Sequence, residues 1–336
     1  MRQHRMKEVM RKESAMQAIR WVVCVVVAVG VMAGDGGWAA AEEVPAAKTL
    51  EKIELTINYA PGAYVVTREV TMRLELAGET PTSSQIHTTM VMDMEISKAD
   101  AEGNRELAVT YRKIALEQKL GDRVTTAYDS SAGVPKEKLS QVGKMFEGML
   151  GGTITVTLDP HGRVGEIRGV GEMVAAMLQS AGLEDWDAAE LRQQFGDRMV
   201  EETFGQLGLP GKPVARGDTW EVDKPLELSV IRAVRQYRQV CTLEDIRDGV
   251  AVVEVKGDLR SADDTDEENP KPSGLRVTIS DMTVEGTTRI DIATGMARQS
   301  EISHKGTLTL TTGEGKNKHE TKLTLHGTAK TGIERK

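Results

Sequence analysis

Long stretches towards both ends of the chain alternate apolar and polar residues with period two, and a middle stretch repeats its apolar residues at helical spacing. Over residues 64–76, Tyr64, Val66, Val70, Met72, Leu74 and Leu76 share one face, interrupted only by Arg68. Thr67, Glu69, Thr71, Arg73 and Glu75 take the other face. Such alternation predicts strands of a sheet that is covered on one side. Residues 88–97 repeat it with Met90, Met92, Met94 and Ile96. After a turn at 100–104, the apolar phase over 106–118 slips from Leu107, Val109 and Tyr111 to Ile114 and Leu116, which predicts a β-bulge.

Between 135 and 209 the period changes. Leu139, Val142, Met145, Phe146 and Met149 predict one helix. A hairpin follows, with Ile154, Val156 and Leu158 on one face and a type I turn at Asp159, Pro160, His161 and Gly162. Val170, Met173, Val174, Met177, Leu178 and Ala181 then form one helix face, ended by Gly182. Asp187 and Glu190 make a capping-box-like start for a further helix running through Phe195 and Met199 to Phe204. Gly208, Pro210, Gly211 and Pro213 read as a linker.

Strand patterns return at 237–244, 250–259, 275–279, 287–292, 298–310 and 320–325, with an acidic, proline-containing loop at 261–274. Strands, then helices, then strands define an α+β chain rather than a βαβ alternation. The expected fold is a twisted, curved antiparallel β-sheet, half-barrel-like, with a central helical insert packed on its apolar face. The expected regions are a signal peptide at 1–41, an N-terminal antiparallel β region at 48–134, a helical insert with a β-hairpin at 135–213, and a C-terminal antiparallel β region at 214–334.

The N-terminus changes the picture from architecture to address. Arg2, Arg5, Lys7, Arg11, Lys12 and Arg20 precede an apolar run at 21–33, and Ala39 and Ala41 fit an A-x-A cleavage site. That order is a secretory leader cleaved near Ala41, from a start at Met1 or Met16; an uncleaved anchor is the competing reading. The expected destination is the periplasm or the exterior, with no integral membrane segment after cleavage. Removing the leader takes six basic and three acidic groups from totals of 43 and 51, leaving 37 against 48, a net of −11. An acidic surface of this kind excludes nucleic acid as a partner. Cys241 is then the sole cysteine, in phase with Tyr237 and Leu243 and so expected to be buried.

Candidate chemistry is sparse. In the last hairpin Leu308 and Leu310 share a face with Leu323 and Leu325, so paired residue numbers must sum to an odd value, as in 308 with 323. His304 and His326 then point to opposite faces, which removes them as joint metal ligands. The acidic run from Asp263 to Glu268 lacks the glycine and distal glutamate of a calcium loop. No nucleophile elbow, catalytic Cys–His pair or dinucleotide fingerprint is present, so neither catalysis, nor a metal, nor a cofactor is expected. Methionine is the unusual component: eleven remain after the leader, against three Phe. Met72, Met90, Met92 and Met94 on the sheet face, with Met173 and Met177 on the helix over it, are the candidate ligand-binding residues, since thioethers adapt to irregular apolar surfaces.

Three pieces carry a resemblance: the Met-rich strand at 88–94 with its turn at 100–104, the segment 213–220, and the end from Asp291 to Gly295 through 306–310. The chain resembles a set of uncharacterised exported bacterial β-rich proteins carrying a domain of unknown function. Its strand–helix–strand plan is distantly similar to bacterial lipoprotein carriers. That likeness implies a curved sheet around an apolar cavity plugged by helices, and it supplies no catalytic residues. The expected function is a non-catalytic cell-envelope protein that binds a lipid or other apolar ligand between sheet and helices. A structural or protein-interaction module bound to an envelope protein, with no small-molecule site, is the alternative. A hydrolase with an unrecognised carboxylate pair is the third reading.

Overall fold

A computed structural model describes residues 52–55, 59–76, 82–160, 164–183, 209–228, 233–260, 275–312 and 319–336. The leader expected at 1–41, the helix expected at 187–204 and the acidic loop expected at 261–274 lie outside these residues. In chain order the elements are β1 (Gly62–Leu76), β2 (Thr82–Ile96), β3 (Arg105–Leu120), β4 (Arg123–Asp129), α1 (Gln141–Met149), β5 (Thr153–Leu158), β6 (Val164–Arg168) and α2 (Val170–Ala181). There follow β7 (Thr219–Leu228), β8 (Ala233–Arg247), β9 (Val250–Arg260), β10 (Leu275–Asp291), β11 (Ala297–Thr312) and β12 (His319–Arg335).

The strands form one mostly antiparallel, open and curved sheet in the order β6-β5-β3-β2-β1-β12-β11-β10-β9-β8-β7, with β4 attached to β3. The two β-rich stretches of the sequence meet where β1 pairs with β12, with Val70 opposite Ala329. Among the described residues, no helix is long and apolar enough to cross a membrane.

Local chemistry explains the elements. The phase slip in β3 is a bulge: Val91 pairs with Lys113 and Met92 with Tyr111, so Arg112 is the extra residue. In α1 the Ser140 hydroxyl accepts a hydrogen bond from the Gly143 amide at 3.1 Å, satisfying an otherwise orphan donor. Gly169, at φ 89°, starts α2 where a Cβ would stand 2.1 Å from the Thr153 carbonyl oxygen, so glycine alone fits there. At the other end Gly182 takes the left-handed conformation, and the Leu183 amide closes onto the Leu178 carbonyl at 2.9 Å.

The structure corrects two readings of the C-terminal half. Residues 275–279 and 287–292 are parts of one strand, β10, whose register against β11 shifts between Ser280 and Thr283. The break in alternation is a bulge, with Asp281 at φ 54° and Met282 turned inward over Gly306. β12 runs on past Leu325 to Arg335, because Gly327 interrupts the apolar alternation without interrupting the backbone ladder.

One face of the sheet carries the core. A large cluster joins the inward residues of β1, β2, β3 and β5 to Met282, Val284, Ile302, Leu325 and Ala329, and to buried residues of α1 and α2. A smaller one gathers Trp220, Cys241, Leu243, Val253, Val255 and Ile290 with Leu55 and Val214, whose segments meet in a bridge between Ile53 and Val214.

Candidate functional site

The six methionines singled out by sequence all lie in the large cluster. Met90, Met92 and Met94 point inward from β2, Met72 from β1, and Met173 and Met177 come from α2; none exceeds 7% exposure. Inward placement follows from the alternation, and burial makes this face a wall of thioethers and aliphatic groups.

Beside the methionines lies a feature that sequence reading noted only as an interruption. Strand register places Ile114, Met90, Arg68, Thr331, Ser300, Thr288, Val253 and Leu243 in one row across eight strands, from β3 to β8. Residues opposite one another in antiparallel strands share a face. The row is therefore apolar at both ends and polar at its centre, on β1, β12, β11 and β10. Arg68 is 5% exposed, and Thr288 and Ser300 are also buried. Thr88 lies one step off, opposite Val70 on β1.

His304 occupies the next inward position but one along β11, opposite Gly327 on one side and Val284 on the other. It is 5% exposed, and neither ring nitrogen has a hydrogen-bond partner among the described residues; the same holds for the hydroxyls of Thr88 and Thr288. Burial, reinforced by the Arg68 charge, lowers the His304 pKa to about 4, so the imidazole is neutral near pH 7. Burial likewise pushes the Tyr111 hydroxyl up to about 12, with the Arg68 charge acting in the opposite sense. The guanidinium is thus electrostatically linked to groups on both flanks of the sheet centre.

The hairpin register bears out the separation of the two histidines. Leu308 pairs with Leu323, His304 faces Gly327, and His326 faces Lys305 on the opposite face. Cys241 is buried as expected. Arg68 and His304 each showed one legible signal, a polar residue in the phase of an apolar run.

A family model described as a family of unknown function (DUF6263) matches residues 102–297, more than half of the chain, and the chain belongs to that family. The resemblance to a domain of unknown function is thereby borne out. No curated protein matches the sequence. Ten solved chains do. One, from "Lipid-protein interactions in lipovitellin", has a TM-score of 0.43 and 12% identity, covering 82% of this chain and 25% of that one. The chain therefore spans about a quarter of that protein's length. Another, a beta-barrel-like protein of domain of unknown function DUF1849 from Brucella abortus, has a TM-score of 0.18 and 8% identity, covering 84% of this chain and 100% of that one.

Proposed function

We propose that this is a non-catalytic envelope protein, exported behind a cleaved leader, which binds a lipid or another apolar ligand between its sheet and its helices. The observation that carries the reading is the single inward face that register makes continuous from β3 to β8, methionine-rich on the side of α1 and α2. A wall of this kind favours apolar groups by area without dictating their shape, with each buried side chain contributing about 1.5–3 kcal/mol. Flexible thioethers suit chains of varied length and saturation. The basic–apolar–small order of residues 1–41 supports export.

The test is native mass spectrometry of the protein purified from a bacterial envelope, followed by solvent extraction and identification of retained lipid. Retention of a discrete lipid mass, recovered on re-addition after delipidation, is the expected result. A chain that neither retains nor takes up lipid overturns the reading. That outcome favours the structural or protein-interaction role, for which the relevant observation is that the described sheet ends in two edge strands, β6 and β7. Export is tested separately, by a mature N-terminus beginning near Glu42.

A further inference from the structure

We infer that the described sheet is closed to strand addition along both of its borders, by a different backbone device on each edge strand, and that Pro225 is the device on β7. The inference stands whether or not an apolar ligand is bound.

An edge strand presents unpaired amides and carbonyls that can template a second chain. Among the described residues the sheet has two borders. One is β7; the other is shared by β6 and β4, because β4 and β5 both pair with β3, at 115–120 and 105–110.

On β7 one bond sets the phase of the others. The Leu243 amide donates to the Asp218 carbonyl at 3.0 Å, and the register then runs unbroken from Thr219 opposite Thr242 to Leu228 opposite Ala233. In an antiparallel pair, residues bonded to the partner alternate with residues whose N–H and C=O point away from it. Trp220, Val222, Lys224 and Leu226 therefore bond to β8, while Glu221, Asp223, Pro225 and Glu227 turn their backbone groups to the open border. Proline has no N–H to donate. In the other phase it would break a bond to β8; in this one it leaves that ladder whole and removes a donor from the free row. A strand docking on β7 would find one of its carbonyls facing no donor.

The opposite border is interrupted twice. On β4, Gln118 pairs with Thr126 and Lys119 with Val124, so Thr125 is a bulged residue, and its hydroxyl donates to the Gln118 carbonyl at 3.2 Å. Regular pairing on β4 is thereby confined to 126–129 over most of its length. β6 has only five residues and is bulged as well: Val156 pairs with Ile167 and Leu158 with Val164, which sets Gly165 and Glu166 against Thr157. A bulge twists an edge away from an incoming strand, and a strand this short offers few bonds. An interaction role, the alternative above, is narrowed to the faces of the sheet.

The experiment is sedimentation velocity of the full chain and of Pro225→Thr over a concentration series, with amide hydrogen exchange on both. The unaltered chain should stay monomeric. Threonine restores the N–H, so the variant should self-associate about tenfold or more tightly, the worth of one further satisfied hydrogen bond. The amides of Glu221, Asp223 and Glu227 should become protected as it does so. Equal association of the two chains overturns the role of Pro225. Self-association of the unaltered chain that protects those same amides overturns the closed border. Should Pro225→Thr fail to fold, judged by circular dichroism, exchange in the unaltered chain decides alone. Rates at the three amides that do not change with concentration uphold the inference, and protection that grows with concentration overturns it.

Discussion

Gly148 of α1 lies against Ala176 of α2 so closely that a Cβ added at Gly148 would stand 2.5 Å from the Ala176 carbonyl oxygen and 2.8 Å from the Met177 Cα. These are backbone atoms that no rotamer change can move aside. Alanine would favour an isolated helix by about 1 kcal/mol over glycine. Overpacking opposes it by about 1–3 kcal/mol and requires the helices to part. The expected net effect of Gly148→Ala is destabilisation by up to about 2 kcal/mol, read as a lowered urea midpoint at constant slope.

Tyr128 ties β4 to α1 twice. Its hydroxyl donates to the Glu147 carboxylate at 2.8 Å, and its ring stacks on Phe146 with centroids 5.9 Å apart. Burial, together with the Glu147 hydrogen bond and charge, raises its pKa well above that of a free tyrosine. Tyr128→Phe should cost about 1 kcal/mol, the worth of the hydrogen bond, and Tyr128→Ala about 3–5 kcal/mol, the loss of the packed ring as well. Equal costs for the two variants would show that the ring contributes nothing.

Asp291 anchors the turn between β10 and β11. Its carboxylate accepts from the Thr294 amide and hydroxyl, both at 3.0 Å, and from Arg298 Nε at 2.9 Å. Burial raises its pKa, but the bonds from Arg298 and Thr294 outweigh this and hold it below the ordinary carboxylate range. A depressed carboxylate stabilises the fold above the unfolded pKa, and that contribution fades as pH falls through the folded value. Asp291→Ala should therefore cost about 2 kcal/mol at pH 7 and progressively less in acid, measured by denaturant titration at stepped pH.

His304 gives the fold a second acid sensitivity at higher pH. Held neutral to about pH 4 by burial and by the neighbouring Arg68 charge, it binds its proton in the unfolded chain near 6.5. Between those values the unfolded state carries more protons, so stability falls as pH drops from about 6.5 to about 4, by up to about 1.4 kcal/mol per pH unit. His304→Leu should flatten that segment of the profile. An unchanged slope in the variant would assign the sensitivity elsewhere.

Much of this architecture is legible in the residues. The bounds of α2 follow from its apolar spacing and from Gly182, and the bulge in β3 follows from a phase slip that no regular strand allows. The register of the last hairpin followed from leucine parity alone, since a slip of one residue would have turned Leu323 and Leu325 outward. Less legible was whatever depends on distant partners. β10 looked like two strands because its bulge, where Met282 packs over Gly306 of the neighbouring β11, breaks the apolar alternation without ending the strand. Arg68 looked like a lapse in an apolar run because the polar row it completes is assembled from β12, β11 and β10. The methionines were found by composition; the polar centre beside them needed the register of the whole sheet.

The union of β1 with β12 constrains how the chain folds during synthesis. Strands separated by most of the chain must meet in the middle of the sheet, so the N-terminal half retains a raw flank until residues 319–335 have emerged. High contact order of this sort delays folding. A chain cut short before His319 should be left as two incomplete sheets prone to aggregation.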